Sequence, residues 1–375
     1  MGNTPPRRHV TLKMISAECG LPVSTVSAAL RGDRQNVGQA TIERVREIAE
    51  TMGYDPAASL SARRLQARAS NTRVANDAVA VFIPPTFHYE QFFWRIFSGL
   101  FPVLNDNDYA VTVLATFKRN AQGIPWNRDD VPAIIRRGEI DGALVATIPE
   151  SFAPLLAKLL EAPGFRSRPL VAIAYEQPGC LSVVADEFTG GYQAIHHLIE
   201  LGHRHILAFL GDTSVNTYHA GTMRLRGMRQ AVQECAADNT VNLIVPPYLF
   251  PAVPGWQSQL PEYLDRYPEI TAVLAVNDED ASHMRDLLIA RGVRVPEDFS
   301  LMGFDDTYSC RDIDGEPWLT TVHMPLEEIG RTAAEQLLQL LRQDTLPSEQ
   351  PIILPTQLVV RRSTAPPPAC PAKIS

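Results

Sequence analysis

No two of the five cysteines in this 375-residue chain stand at CxxC spacing. Cys19, Cys180, Cys235, Cys310 and Cys370 are scattered, which argues for free thiols and against a disulfide framework or a zinc knuckle. No apolar run approaches the roughly 18 residues that a helical membrane span requires, so no membrane partner is expected. The first residues, with Pro5, Pro6, Arg7, Arg8 and His9, lack the apolar stretch of a secretory signal. A cytoplasmic location is the resulting expectation. A nucleophile elbow, a GxxxxGK phosphate loop and an HExxH pair are all missing. The expectation is therefore a protein that is not an enzyme and holds neither cofactor nor metal.

Positive charge is scarce beyond residue 73. Residues 1–73 hold eleven Lys or Arg against six Asp or Glu, while the remainder holds 23 against 36. The formal net charge of -8 conceals this division. A basic head on an acidic body suits a small nucleic-acid-binding module joined to a larger part that repels phosphate.

Within the head, apolar residues fall at helical spacing in three blocks: Leu12, Ile15, Ala17 and Cys19; Val23, Val26, Ala29 and Leu30; Ile42, Val45, Ile48, Ala49 and Met52. Between the first two lies Cys19-Gly20-Leu21-Pro22, where Gly20 permits a tight reversal and Pro22 suits a first helical turn. Two helices joined this way outline a helix-turn-helix, whose second helix enters the DNA major groove. An ordinary three-helix bundle fits the same spacing about equally well.

The longer pattern separates the two. TLKMISAECGLPVSTVSAALRG, followed by Val37, Thr41, Val45, Ala49, Gly53 and Tyr54, resembles the headpiece of the LacI/GalR family of transcriptional regulators. The resemblance implies DNA contacts from Thr11, Val23, Ser24, Thr25, Ser27 and Ala28, with Val23, Ser24 and Ala28 at the base-reading positions. Ala28 stands where the family usually has Arg, and Pro22 where it has a capping Ser, so the usual Arg contact to guanine is not implied. After Tyr54 the family carries a hinge helix that wedges a Leu into the minor groove. Here Arg63 occupies the wedge position, Leu60 and Leu65 are each a short step away, and Leu60, Arg63 and Arg64 are the implied DNA contacts. A charged linker is the plainer alternative for that stretch.

From Val79 onward, near-continuous apolar runs alternate with amphipathic stretches. AVAVFI (78–83), AVTVLA (110–115), GALVAT (142–147), LVAIA (170–174), HILAFLG (205–211), TAVLAV (271–276) and FSLMGF (299–304) read as strands buried on both faces. Helical stretches lie at 91–104, 190–201, 225–237, 279–290 and 326–341. The pattern predicts an α/β body with parallel sheets, in two similar lobes, with ligands outside the carboxyl ends of the strands. GGYQAIHHLIELGHRHILAFLG, TAVLAVNDEDA and GVRVPEDFSLMGFDD again resemble the LacI/GalR family and the periplasmic sugar-binding proteins that share its effector domain. The implied architecture is a headpiece at 9–56, a hinge or linker at 57–77 and two doubly wound lobes of periplasmic-binding-protein type at 78–362. Lobe 1 would take about 78–182 and 308–346, lobe 2 about 183–306 and 347–362, with crossings near 183, 307 and 347. The Pro-rich end, 363–375, reads as a disordered tail.

Four histidines, His196, His197, His203 and His205, form the most metal-like cluster, yet they fall within the run that matches the family's structural pattern. Asp305 and Asp306 could form an acid/base pair, but no catalytic motif accompanies them. By resemblance, Arg224, Asn277 and Asp305 are effector contacts, joined by Phe92 from a Phe92-Phe93 pair and by Tyr89, Gln91 and Tyr175. Asn277 could equally cap a helix, and one of the two phenylalanines belongs to the core. The reading is a homodimeric regulator, by family habit a repressor, that binds a pseudo-palindromic operator in double-stranded DNA and answers to a small carbohydrate-like effector. A solute receptor or a sugar-processing enzyme on the same scaffold are the alternatives.

Overall fold

The computed structural model describes residues 10–54, 75–83, 90–119, 125–127, 130–146, 149–165, 168–177, 179–210, 220–235, 241–246, 256–307, 310–312, 314–343 and 350–369. The expected contacts Leu60, Arg63, Arg64 and Tyr89 lie outside the described residues. The chain divides into two compact units, Met1–Asn76 and Asp77–Ser375.

The first unit holds three helices, α1 (Leu12–Cys19), α2 (Val23–Arg31) and α3 (Gln39–Thr51). Thr11 caps α1 by accepting from the Met14 N–H at 3.4 Å. Gly20, at φ 66°, ends α1 in the left-handed region that a side chain would disfavour. The Ser16 hydroxyl donates to the Leu21 carbonyl at 2.6 Å and so closes the turn between the helices. Pro22 enters α2 without a side-chain cap, forgoing about 1 kcal/mol that a Ser or Asp there contributes. Ile15, Cys19, Val26, Ala29, Val37, Ile42, Val45 and Ala49 meet in one core, so the helical spacing in the sequence is the packing face of the unit.

In the second unit, β1 (Ala78–Ile83), β2 (Ala110–Ala115), β5 (Gly142–Val145), β6 (Leu170–Ile173), β7 (Leu181–Ala185) and β13 (Ile352–Leu354) form a six-stranded sheet in the order β13-β7-β6-β5-β1-β2. A four-stranded sheet in the order β11-β10-β8-β9 joins β8 (His205–Ala208), β9 (Asn242–Ile244), β10 (Ala272–Leu274) and β11 (Ser300–Met302). All pairings in both sheets are parallel. Two short antiparallel pairs complete the strands: β3 (Phe117–Arg119) with β4 (Pro125–Asn127), and β12 (Thr321–His323) with β14 (Gln357–Val359).

The first sheet packs one face on α4 (Glu90–Asp106) and α11 (Leu326–Gln343), and the other on α5 (Ala133–Arg136) and α6 (Pro149–Glu161). The second packs on α7 (Glu187–Glu200) and α8 (Ala220–Cys235), with α9 (Trp256–Arg266) and α10 (Asp278–Ala290) opposite. Two doubly wound parallel lobes result. Helices on both faces are why β1, β5, β6 and β7 are buried almost throughout. Among the described residues no helix is long and apolar enough to cross a membrane.

The chain passes between lobes between β7 and α7, between β12 and α11, and between β13 and β14. The second and third passages come later than the 307 and 347 expected. Residues 303–322 stay on lobe 2 because the Gly303 N–H donates to the Thr320 carbonyl and Asp305 N–H to the Val322 carbonyl. Strand β13 then pairs with β7 and so holds 352–354 in lobe 1. The end of the chain also departs from the reading as a disordered tail. Ser363 is fully buried, its carbonyl accepts from the Leu301 N–H, and His203 Nε2 donates to the Ala365 carbonyl at 3.0 Å. Unsatisfied edge groups of β11, supplied with partners by 363–365, outweigh the proline content.

Candidate functional site

At the carboxyl ends of the lobe 2 strands three side chains converge. Arg224, on α8, is 6% exposed and donates Nη1–H to the Val276 carbonyl at 2.7 Å. Its Nε and Nη2 both face Oε2 of Glu187, at 3.0 and 2.9 Å. The guanidinium lies flat on the Phe304 ring, 3.4 Å from its centroid. Two glycines set this position. A Cβ on Gly191 would stand 2.2 Å from the Arg224 carbonyl oxygen, and one on Gly227 would stand 1.9 Å from that of Phe188. Only hydrogen at both places lets α7 and α8 meet backbone to backbone, which brings Glu187 within reach of Arg224.

Asn277 stands next along the chain from the carbonyl that Arg224 holds. Its Oδ1 accepts from the Asp280 N–H at 2.7 Å and so caps α10, while its amide nitrogen has no partner among the described residues. Asp305 follows β11 with φ 95°, and Asp306 with φ 56°. Two successive left-handed aspartates turn their carboxyl groups to different neighbours, a strained arrangement of a kind found at binding sites. Asp305 is 8% exposed and has no hydrogen-bond partner for its side chain among the described residues. Burial pushes it well above the usual carboxylate range; Arg224 opposes this, and Asp278, Glu187 and Asp280 add to it. Asp306 is structural. Burial alone would raise its pKa, but hydrogen bonds from His323 at 3.1 Å and Arg361 at 2.6 Å hold it below the ordinary value. The Asp306 carboxyl is held by His323 and Arg361, and no hydrogen bond links it to the Asp305 carboxyl among the described residues.

Asp278 is the second buried acid here, accepting from the Thr307 N–H at 2.7 Å and the Thr321 hydroxyl at 2.6 Å. Burial lifts it from 3.8 to about 7 despite those donors. With a folded pKa above the unfolded one, the native state holds the proton more tightly, so stability from this group is present below pH 4 and is lost as pH rises towards about 7. In Asp278→Asn the amide oxygen can accept from the Thr307 N–H and the amide nitrogen can donate to the Thr321 hydroxyl, whose bond is reversed, and the titration is removed. The Tm of this variant, relative to the parent, should rise between pH 4 and pH 8. A difference that stays flat across that range contradicts the assignment.

On lobe 1, Phe92 is half-buried and meets Phe93 edge to face at 5.4 Å, while Phe93 is the core member of the pair at 4% exposed. Gln91 is exposed at the start of α4. One helical turn on, Arg95 Nη1 donates to the Asp306 carbonyl at 2.9 Å, which carries the first turn of α4 to the lobe 2 strand ends. Tyr175 is half-buried just beyond β6, after Ala174 at φ 63°. Arg224 thus reaches the carbonyl beside Asn277 and acts electrostatically on Asp305, while Arg95 ties the first turn of α4, with Gln91 and Phe92, to the Asp306 carbonyl. Glu187 was not anticipated. Its only signal is Arg224, 37 residues away.

In the headpiece, Val23 (39% exposed) and Ser24 stand open on α2, with Thr25 and Ser27 half-buried. Thr11 is exposed and occupied as a cap. Ala28 departs from the expected base-reading set: at 8% exposed, its methyl is used in the core of the unit. The histidines disperse, His203 to Thr271 and Ala365, His197 to Thr364, His196 to Glu200. Among the described residues no group of His, Cys, Asp or Glu is arranged to hold a metal. A groove of about 420 Å³ beside Arg285 and Trp318 on lobe 2 includes none of the expected contacts.

Residues 195–364 match the model of the periplasmic binding protein-like domain. The regulator CelR of Thermobifida fusca is 30% identical over 364 residues, covering 95% of this chain and 99% of that protein. The repressor CytR of Escherichia coli is 28% identical over 361 residues, 94% of this chain and 96% of that one. Among solved structures, a CelR–cellobiose complex superposes with TM-score 0.59 at 25% identity, over 95% of this chain and 100% of that one. A LacI family regulator from Enterococcus faecium with bound ribose gives TM-score 0.61 at 27% identity, over 77% of this chain and 99% of that one. These relatives are regulators rather than enzymes. Headpiece, two parallel lobes and full-length similarity agree, and the chain belongs to the LacI family of helix-turn-helix transcriptional regulators.

Proposed function

We propose that this regulator is a repressor that binds a pseudo-palindromic operator as a homodimer and is controlled by a sugar-class effector held between its lobes. The observation that carries the reading is that Arg224, the Asn277 amide and the Asp305 carboxyl lie at strand ends, where doubly wound sheets bind ligands, the Asn277 amide nitrogen and the Asp305 carboxyl having no hydrogen-bond partner among the described residues. The ligands in the CelR and E. faecium structures, cellobiose and ribose, support the chemical class. Gln91, Phe92, Tyr175 and Tyr89 complete the proposed pocket from lobe 1. Val23 and Ser24 form the proposed reading surface, flanked by Thr11, Thr25 and Ser27, with Leu60, Arg63 and Arg64 following into the minor groove. Trp94, 65% exposed on α4, supports a second copy covering lobe 1. Such work on DNA takes place in the cytoplasm.

Fluorescence anisotropy with labelled genomic fragments tests this. The full chain should show a fragment preference that weakens steeply with salt and changes when cellobiose or ribose is added. A body lacking residues 1–66 should keep the ligand-induced rise in Tm and lose DNA binding entirely. Absence of any fragment preference, with or without sugars, contradicts the reading.

A further inference from the structure

The charges around the cleft are unbalanced in one direction. Arg224 is the cation at the lobe 2 strand ends, and Glu187 Oε2 takes both its Nε and Nη2 edges. The other arginines nearby are engaged elsewhere: Arg361 with Asp306, and Arg95 with Glu327 and the Asp306 carbonyl. Facing them stand Glu187 and Asp280, together with Asp305 and Asp278, two acids whose pKa values burial raises. Glu187 Oε1 has no partner among the described residues, as is true of the Asp305 carboxyl.

The described residues that follow β5, β6, β8, β10 and β11 at the strand ends, 146, 174–177, 179–180, 209–210, 275–277 and 303–307, contain no Lys and no Arg, but do contain Glu176, Asp305 and Asp306. A carboxylate or phosphate entering between the lobes would lose its hydration and find Arg224 already neutralised by Glu187. Hydroxyl and ammonium groups would instead donate to the open carboxyl oxygens.

Resting on the effector reading above, we propose that Glu187 sets the charge selectivity of the cleft by neutralising Arg224. The effector is then an uncharged or amine-bearing polyhydroxy compound, and sugar acids and sugar phosphates are rejected.

Thermal shift on the full chain at pH 8 provides the test. The probes are matched by skeleton: cellobiose with cellobionate, and glucose with gluconate, glucose 6-phosphate and glucosamine. Sodium sulfate against sodium chloride at equal ionic strength serves as a probe for a bare guanidinium. In the parent no acid or phosphate should raise the Tm more than its neutral partner, and an acid that does so overturns the proposal. In Glu187→Gln the sulfate increment should exceed that of the parent by about 2 to 4 °C, equivalent to about 1 kcal/mol of new anion binding. The general salting effect of sulfate cancels in that comparison. Equal sulfate increments in a folded Glu187→Gln also overturn it, and if that variant does not fold, Glu187→Asn and the matched pairs on the parent decide. A gained sulfate response with no sugar acting on the parent leaves the charge assignment standing and removes the sugar reading.

Discussion

Replacing Arg224 by alanine should abolish the effector response and also destabilise the effector body by about 3 to 5 kcal/mol. The loss is large because three groups depend on the guanidinium. Glu187 would be left as a buried acid without its partner, Asp305 would lose the cation that opposes its raised pKa, and the Phe304 ring would lose the group stacked on it. Removing one member of a buried pair costs far more than removing both. Arg224→Met combined with Glu187→Met should therefore recover most of the stability without recovering the ligand response. Urea denaturation of the two variants separates these effects, with DNA binding by the headpiece as the control. Equal midpoints for the single and double variants would show that the pair contributes nothing to stability. The structure thereby changes what an alanine at this position tests, since a lost response in Arg224→Ala alone mixes contact with folding.

The parts of this molecule that were legible in the sequence are those whose environment is uniform. Runs such as AVAVFI and AVTVLA coincide with β1 and β2 because a strand covered by helices on both faces is apolar along its length or sits at the edge of such a sheet. The three-residue strands β12, β13 and β14 carry no such signal; pairing with strands distant in the chain decides them, β12 with β14 and β13 with β7. Helices α6 and α9 each contain an internal proline, Pro154 and Pro261, which argues locally against a helix that packing nevertheless imposes. In the candidate site, Arg224, Asn277 and Asp305 were pointed to by family resemblance through the runs MRLRGMRQAV, AVND and GFDD. Glu187 was not, since its role exists only where α7 and α8 touch. Ala28 and residues 363–369 went the other way. A methyl on the expected reading helix was needed by the core, and a proline-rich end was needed by the edge of β11.

That contact between α7 and α8 also sets the second large effect. Gly227→Val should lower the stability of the body by about 3 kcal/mol or more, because even its Cβ would lie 1.9 Å from the Phe188 carbonyl oxygen and 2.8 Å from the Tyr192 nitrogen. Neither neighbour is the end of a flexible side chain, so the helices must separate, and Arg224 moves away from Glu187 as they do. At about 2 to 4 °C per kcal/mol, the Tm should fall by roughly 6 to 12 °C. The lobes repeat the device. On lobe 1, a Cβ at Gly99 would stand 1.8 Å from the Glu327 carbonyl oxygen, and one at Gly330 would stand 2.0 Å from that of Ile96. Close approach, rather than backbone freedom, is thus what these four glycines supply. Gly292 provides the contrast: it has φ 75° but nothing within 4 Å of a built Cβ, so Gly292→Ala should cost only the left-handed strain of about 1 to 2 kcal/mol. Calorimetric melts of Gly227→Ala and Gly292→Ala rank the two causes. If Gly292→Ala proves the more damaging, backbone contact between α7 and α8 is not what holds Arg224 in place.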